Sequence, residues 1–181
     1  MLIWNPSKLT TKGKALLAKA QAGRCTIKIT KAQTGSGQYS SGEATDTRTS
    51  LKAPVQTLPI HSKEIQNGST LVLKVAITNK TSDTDVLKSG YEIREFGIFA
   101  QDPDDGEILY SIATASTSDY MPAYNGVIPS VISMSYYLEV ANASSVTIVT
   151  AGGLALQSDL EAQADRVTII EQAKKKKYGA R

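Results

Sequence analysis

Residues 90–113 read GYEIREFGIFAQDPDDGEILYSIA, two apolar runs on either side of a short acidic break. Tyr91–Ala100 and Glu107–Ala113 are rich in aromatic, leucine and isoleucine side chains, which suit a pleated, half-buried surface. The break, QDPDDG, puts Pro103 where a preset φ is wanted, aspartates where a side chain can bond nearby backbone, and Gly106 where φ turns positive. The stretch predicts two antiparallel strands joined by a tight loop. Its carboxylates, Asp102, Asp104 and Asp105, also invite a calcium reading, but the distant bidentate Glu of an EF-hand loop is missing. Counting alternation through the first run puts Glu92 and Arg94 on one face, and Glu95 on the other with Tyr91, Ile93 and Phe99. The triplet reads as an Arg–Glu pair that orders a sheet or a subunit contact. A glycosidase would need two facing carboxylates at a set separation, and sequence supplies no second strand to carry the partner.

Outward from this hairpin the pattern stays β. Upstream, Leu71, Leu73, Val75 and Ile77 alternate with Val72, Lys74, Ala76 and Thr78, and Cys25, Ile27 and Ile29 alternate with Thr26, Lys28 and Thr30. Downstream, Ile128, Ile132, Met134, Tyr136, Leu138 and Val140 fall on one face of a long strand, and Val146–Val149 makes a last one. Residues 33–50, QTGSGQYSSGEATDTRTS, offer almost nothing to bury and read as a long, flexible surface loop. Its glycines fit neither a P-loop nor a dinucleotide fingerprint. Ahead of all this, KGKALLAKAQA forms a helix capped by Thr10 or Thr11 and closed by Gly23. Leu9, Gly13, Leu16, Leu17 and Ala20 make its apolar stripe, with Gly13 allowing close approach to a sheet. Leu2, Ile3 and Trp4 are an apolar cluster with no local partner. One helix followed by many strands, without a βαβ rhythm, predicts a mainly β (α+β) fold: an N-terminal amphipathic helix on an antiparallel sheet or sandwich.

After Ala151-Gly152-Gly153 the composition changes. Leu156, Leu160, Val167 and Ile170 follow a four-then-three spacing, with Gln163 in the remaining seam position and charges around them. So narrow a stripe suits a C-terminal coiled-coil stem shared between copies; the alternative is a helix folded back on the body. The expected division is 1–151 for the β-rich body and 152–181 for the helix with its Lys-rich tail.

The composition of the 181 residues, 41% hydrophobic and 20% charged, is that of a globular chain rather than a disordered one. No apolar run is long enough for a membrane span, and MLIWNPSK is no secretory signal. The tail KKKKYGAR, residues 174–181, holds five positive charges; removing them from the net +3 leaves −2 on residues 1–173. A specific nucleic-acid partner is therefore not expected. One cysteine, Cys25, and one histidine, His61, exclude a disulfide framework and leave little for a metal site or a nucleophile–base pair. Cys25 reads as a small buried hydrophobe and His61 as part of a loop or strand edge. The expectation is no enzyme, no metal and no cofactor.

Leu9–Gly23 (LTTKGKALLAKAQAG), Gly90–Ala100 with its Arg94-Glu95-Phe96-Gly97, the loop DPDDG and Glu107–Tyr110, in this order, resemble the phage tail-collar fibre family. The strand Ile27–Ile29 entering Gly35-Ser36-Gly37, and Ser118-Asp119-Tyr120-Met121-Pro122, fit the same pattern, so the resemblance spans roughly 9–150. It implies a structural virion component that ties a trimeric fibre to the tail or baseplate, assembled in the bacterial host cytoplasm. Its partners would be further copies of the chain, tail or baseplate proteins, and a distal receptor-binding protein. Docking would use Leu2, Ile3 and Trp4, and trimerisation Leu156, Leu160, Gln163, Val167 and Ile170. From another class, a small β-sandwich could bind host-surface glycans on a platform of Tyr110, Tyr120, Tyr124, Tyr136 and Tyr137.

Overall fold

The computed structural model describes residues 2–66, 70–139 and 146–149. In chain order its elements are β1 (Ile3–Trp4), β2 (Lys8–Leu9), α1 (Thr11–Gln21), β3 (Ile27–Gly35), β4 (Pro54–Leu58), β5 (Ser62–Gln66), β6 (Thr70–Thr78), β7 (Tyr91–Asp102), β8 (Gly106–Met121), β9 (Val131–Glu139) and β10 (Val146–Ile148). The expected C-terminal helix lies outside the described residues, with Leu156, Leu160, Gln163, Val167 and Ile170, as does Val140.

The hairpin is the centre of the fold. β7 and β8 pair antiparallel from Asp102↔Gly106 to Tyr91↔Met121, and Gly106 has φ +78°. They belong to a seven-stranded sheet of order β1-β8-β7-β3-β10, with β2 also on β8 and β4 also on β3. A second sheet has the order β5-β6-β9. The two share one core, in which Phe96 of β7 stacks on Tyr136 of β9 at 5.1 Å between centroids. Ile29, Ile93 and Ile98 fill it from the first sheet, and Leu71, Leu73, Ile77 and Leu138 from the second.

The helix follows its sequence signals. Thr10 Oγ1 accepts the Gly13 amide at 2.9 Å, and Gly23 beyond the C-terminus has φ +70°. Leu16 is buried, Leu17 and Ala20 half-buried. A Cβ on Gly13 would stand 2.0 Å from the Tyr110 carbonyl oxygen, so only glycine lets α1 lie this close to β8.

Four expectations need correction. Alternation does not run through β7 unbroken: the register shifts between Ile93 and Glu95, and a bulge reverses the facing of everything beyond it. Tyr91, Ile93, Phe96, Ile98 and Ala100 thus share the main core, while Phe99 joins Leu51, Leu109 and Ile112 in a separate cluster. Nor is every pairing antiparallel, because β10 runs parallel to β3, Val146 opposite Ile27. Parallel neighbours need a crossover instead of a hairpin, and here the chain comes back beside β3, as β10, only after passing through the other sheet. Ile128 precedes β9 and is exposed, since β9 starts at Val131. Finally, β4 and β5 were not signalled: PVQTL is short and exposed except for Leu58, and SKEIQ is polar and exposed at a sheet edge. Cys25 is half-buried ahead of β3, and His61 precedes β5, its amide bonded to the Lys74 carbonyl.

Candidate docking surface

The glycine-rich stretch after β3 is a folded strap over Glu95. The Glu95 carboxylate is fully buried and accepts the amides of Gly37 (3.1 Å), Lys52 (2.8 Å) and Ala53 (2.7 Å) and the Tyr39 hydroxyl (2.5 Å). No cation is among these partners, so Glu95 is not in an Arg–Glu pair: the bulge turns it to the opposite side of the sheet from Ile93. A Cβ on Gly35 or Gly37 would approach Glu95 Oε1 to 2.4 or 2.6 Å. The glycines therefore cradle an anion, as glycine-rich loops can, but the anion is the chain's own. Burial, then the bond to Glu95, raises the Tyr39 hydroxyl's pKa well above the usual tyrosine range. The strap is also tied to the helix: Thr11 donates its amide to the Asp46 carbonyl at 2.7 Å.

The acidic turn is spoken for as well. Asp102 accepts Lys19 at 2.7 Å and the amides of Asp104 and Asp105 at 2.8 and 3.2 Å. Lys19 also reaches Asp104 at 2.9 Å, and Lys12 reaches Asp105 at 3.1 Å. Burial alone would raise the Asp102 pKa; Lys19 and the two amides outweigh it and hold the group below the usual carboxylate range. The turn is a lysine-clamped hairpin end.

The N-terminal cluster finds a partner inside the fold. β1 pairs with β8, and Trp4 meets Phe96 edge-on at 5.9 Å. Leu2 and Trp4 pack against the core, leaving Ile3 as the outward member, 50% exposed. The tyrosines do not make a platform either, because Tyr110 and Tyr136 are buried. Tyr136 hydrogen-bonds Ser111 at 2.8 Å.

A different stretch presents apolar side chains. Asn125 Oδ1 accepts the amides of Val127 and Ile128 at 3.0 and 3.2 Å, and Gly126 has φ +84°. This turn directs the chain so that Val127 is 75%, Ile128 71% and Val131 56% exposed. Neighbouring exposed apolar residues of this kind mark a contact surface more often than isolated ones do. Alternation puts Ile128 on the shared face of the long strand; Asn-Gly at 125–126 is the signal that a turn precedes that strand.

The family described as phage tail-collar fibre protein, N-terminal, matches residues 6–166. The chain belongs to this family. No curated protein and no solved structure matches it. As a tail-collar fibre protein it is a structural component of a phage tail fibre, associated with the tail of the virion, and of a structural rather than enzymatic family. The helix, the REFG strand and the acidic turn, which carried the resemblance, are the parts that build this fibre module's framework. Arg94-Glu95-Phe96-Gly97 supplies a half-buried cation, the strap's anchor, a core ring, and a glycine whose Cβ would stand 2.7 Å from Leu109 Cδ1.

Proposed function

We propose that this tail-collar fibre module docks on the phage tail or baseplate through its β-rich body, and that residues 152–181 form a helix joining three copies into a short fibre stem. The observation that carries the docking half is the exposed apolar group Val127, Ile128 and Val131 on a protein of a tail-fibre family. Of the N-terminal cluster, Ile3 is the exposed member and the one left to contribute to docking. The stem half rests on the heptad stripe Leu156, Leu160, Gln163, Val167 and Ile170. A distal receptor-binding protein would then assemble onto the stem.

Light scattering on the full chain beside one ending at Gly152 tests the stem. A trimer that falls to monomer on truncation supports it, and Leu160→Asp with Ile170→Asp should give the same folded monomer. A monomer in both cases rejects a self-sufficient stem. For docking, Val127→Asp with Ile128→Asp should leave a folded protein that no longer enters tail particles; unimpaired entry rejects this surface.

A further inference from the structure

Between β7 and β8 the pairing jumps from Ile93↔Asp119 to Glu95↔Thr114, so Arg94 stands opposite a four-residue excursion, 115–118. Part of that excursion pairs instead with β1, Ala115 opposite Trp4 and Thr117 opposite Ile3. The sheet splits here, and the strap faces the split. Together they enclose a cleft of about 850 Å³ whose lining includes Asn5, Lys8, Ser40, Glu43, Arg94 and Ser116.

Its charges do not balance. Glu43 is the one carboxylate of the lining, and it is already held by Lys52 at 3.0 Å and the Ser40 amide at 3.0 Å. Glu92 and Asp119, at flanking positions in the sheet, do not line the cleft. Arg94 is half-buried, yet among the described residues its guanidinium has no hydrogen bond or ion pair, and neither has the Lys8 ammonium. A guanidinium that has shed part of its hydration without gaining a carboxylate is suited to a planar, bidentate acceptor.

We propose that this cleft is an anion-binding site that takes an Asp- or Glu-bearing polypeptide segment of the tail partner, with Arg94 as the principal contact and Lys8 as the second. A polypeptide fits better than an acidic saccharide because the aromatic side chain of the lining is taken. Arg48 and Lys52 sit over the Tyr39 ring at 5.7 and 5.2 Å from its centroid, so a sugar stacking there would compete with cations already engaged with the ring. The hydroxyls and amides that remain suit a peptide backbone. The partner's identity rests on the tail-docking reading; the site's chemistry does not.

The test is fluorescence anisotropy of a labelled, end-blocked peptide, Glu-Ser-Asp-Ser-Glu, with the full chain. Because KKKK at 174–177 would attract any acidic peptide, a variant with Lys174, Lys175, Lys176 and Lys177 all changed to Gln serves as the control. The expected result is binding that survives in the tail variant and falls about tenfold or more in Arg94→Gln, in line with loss of a charge-assisted bond. Thermal unfolding should show Arg94→Gln folded like the parent. Lys8→Gln should weaken binding less. Binding that is absent, indifferent to Arg94→Gln, or lost with the tail lysines overturns the site. Binding of an oligogalacturonate in place of the peptide overturns the polypeptide occupant. Trimerisation is scored separately by light scattering, so an intact trimer with no peptide binding rejects the cleft and leaves the fibre reading standing.

Discussion

β7 carries two buried carboxylates, Glu95 along its length and Asp102 at its end, and the two are satisfied in opposite ways. Glu95 has neutral donors only, the amides of Gly37, Lys52 and Ala53 and the Tyr39 hydroxyl. Asp102 has two amides and the ammonium of Lys19, whose side chain is partly open to solvent. The first arrangement works by geometry, since every donor is fixed by the fold. The second leans on Coulomb attraction, which water and salt weaken. A loop with few apolar side chains, Leu51 the buried one among them, can thus be held by one carboxylate beneath it, whereas a charged turn at the surface needs cations from a neighbouring helix.

The sharpest way to break the contrast is Glu95→Ala, which leaves the strap's donors without an acceptor. It should cost about 3–5 kcal/mol in denaturant unfolding, and the loss should be nearly the same at low and high salt. Next comes Gly37→Ala, whose Cβ would meet Glu95 Oε1 at 2.6 Å; a loss of roughly 1–3 kcal/mol is expected by the same measurement. Lys19→Ala should be milder still and should shrink as salt is added. Acid titration separates the second arrangement: Asp102 titrates below its ordinary range when folded. Its contribution is therefore full above about pH 4 and is lost as the pH falls through the lowered folded value. Asp102→Asn should flatten that part of the profile.

The smallest effect concerns a group with neither arrangement. Tyr110 is buried, and its hydroxyl has no partner among the described residues. Tyr110→Phe should leave stability unchanged or raise it by up to about 1 kcal/mol. Burial pushes the Tyr110 and Tyr91 hydroxyls up to about 12, Tyr91 against an opposing bond from Thr34. A raised folded pKa means stability that is full below about pH 10 and lost as the pH climbs toward 12, to be followed by tyrosinate absorbance together with circular dichroism.

What sequence made legible was local. The cap at Thr10, the close approach at Gly13, the turn at Gly106 and the alternation of Leu71 to Ile77 are each decided by residues a few positions apart. Glu95 was misplaced because a bulge is set by the partner strand: the excursion at 115–118 lies in β8 and shows nothing in REFG itself. The strap read as flexible because its anchor is more than forty residues downstream of Gly37 and Tyr39. The exposed apolar side chains were legible only in part. Leu2 and Trp4 are apolar because they pack, while Ile128 matches the period of a strand that starts later.

The parallel pairing of β3 with β10 also sets an order in time. During synthesis Ile27 waits for Val146, so the Ile27–Ile29 end of β3, beyond the reach of β4, stays open until nearly all of the β-rich body has emerged. A chain cut short before that point, or nicked ahead of it, would expose a bare template on a strand of buried isoleucines. Such an edge invites pairing with another copy, and fragments of this protein should be far more prone to aggregate than the whole.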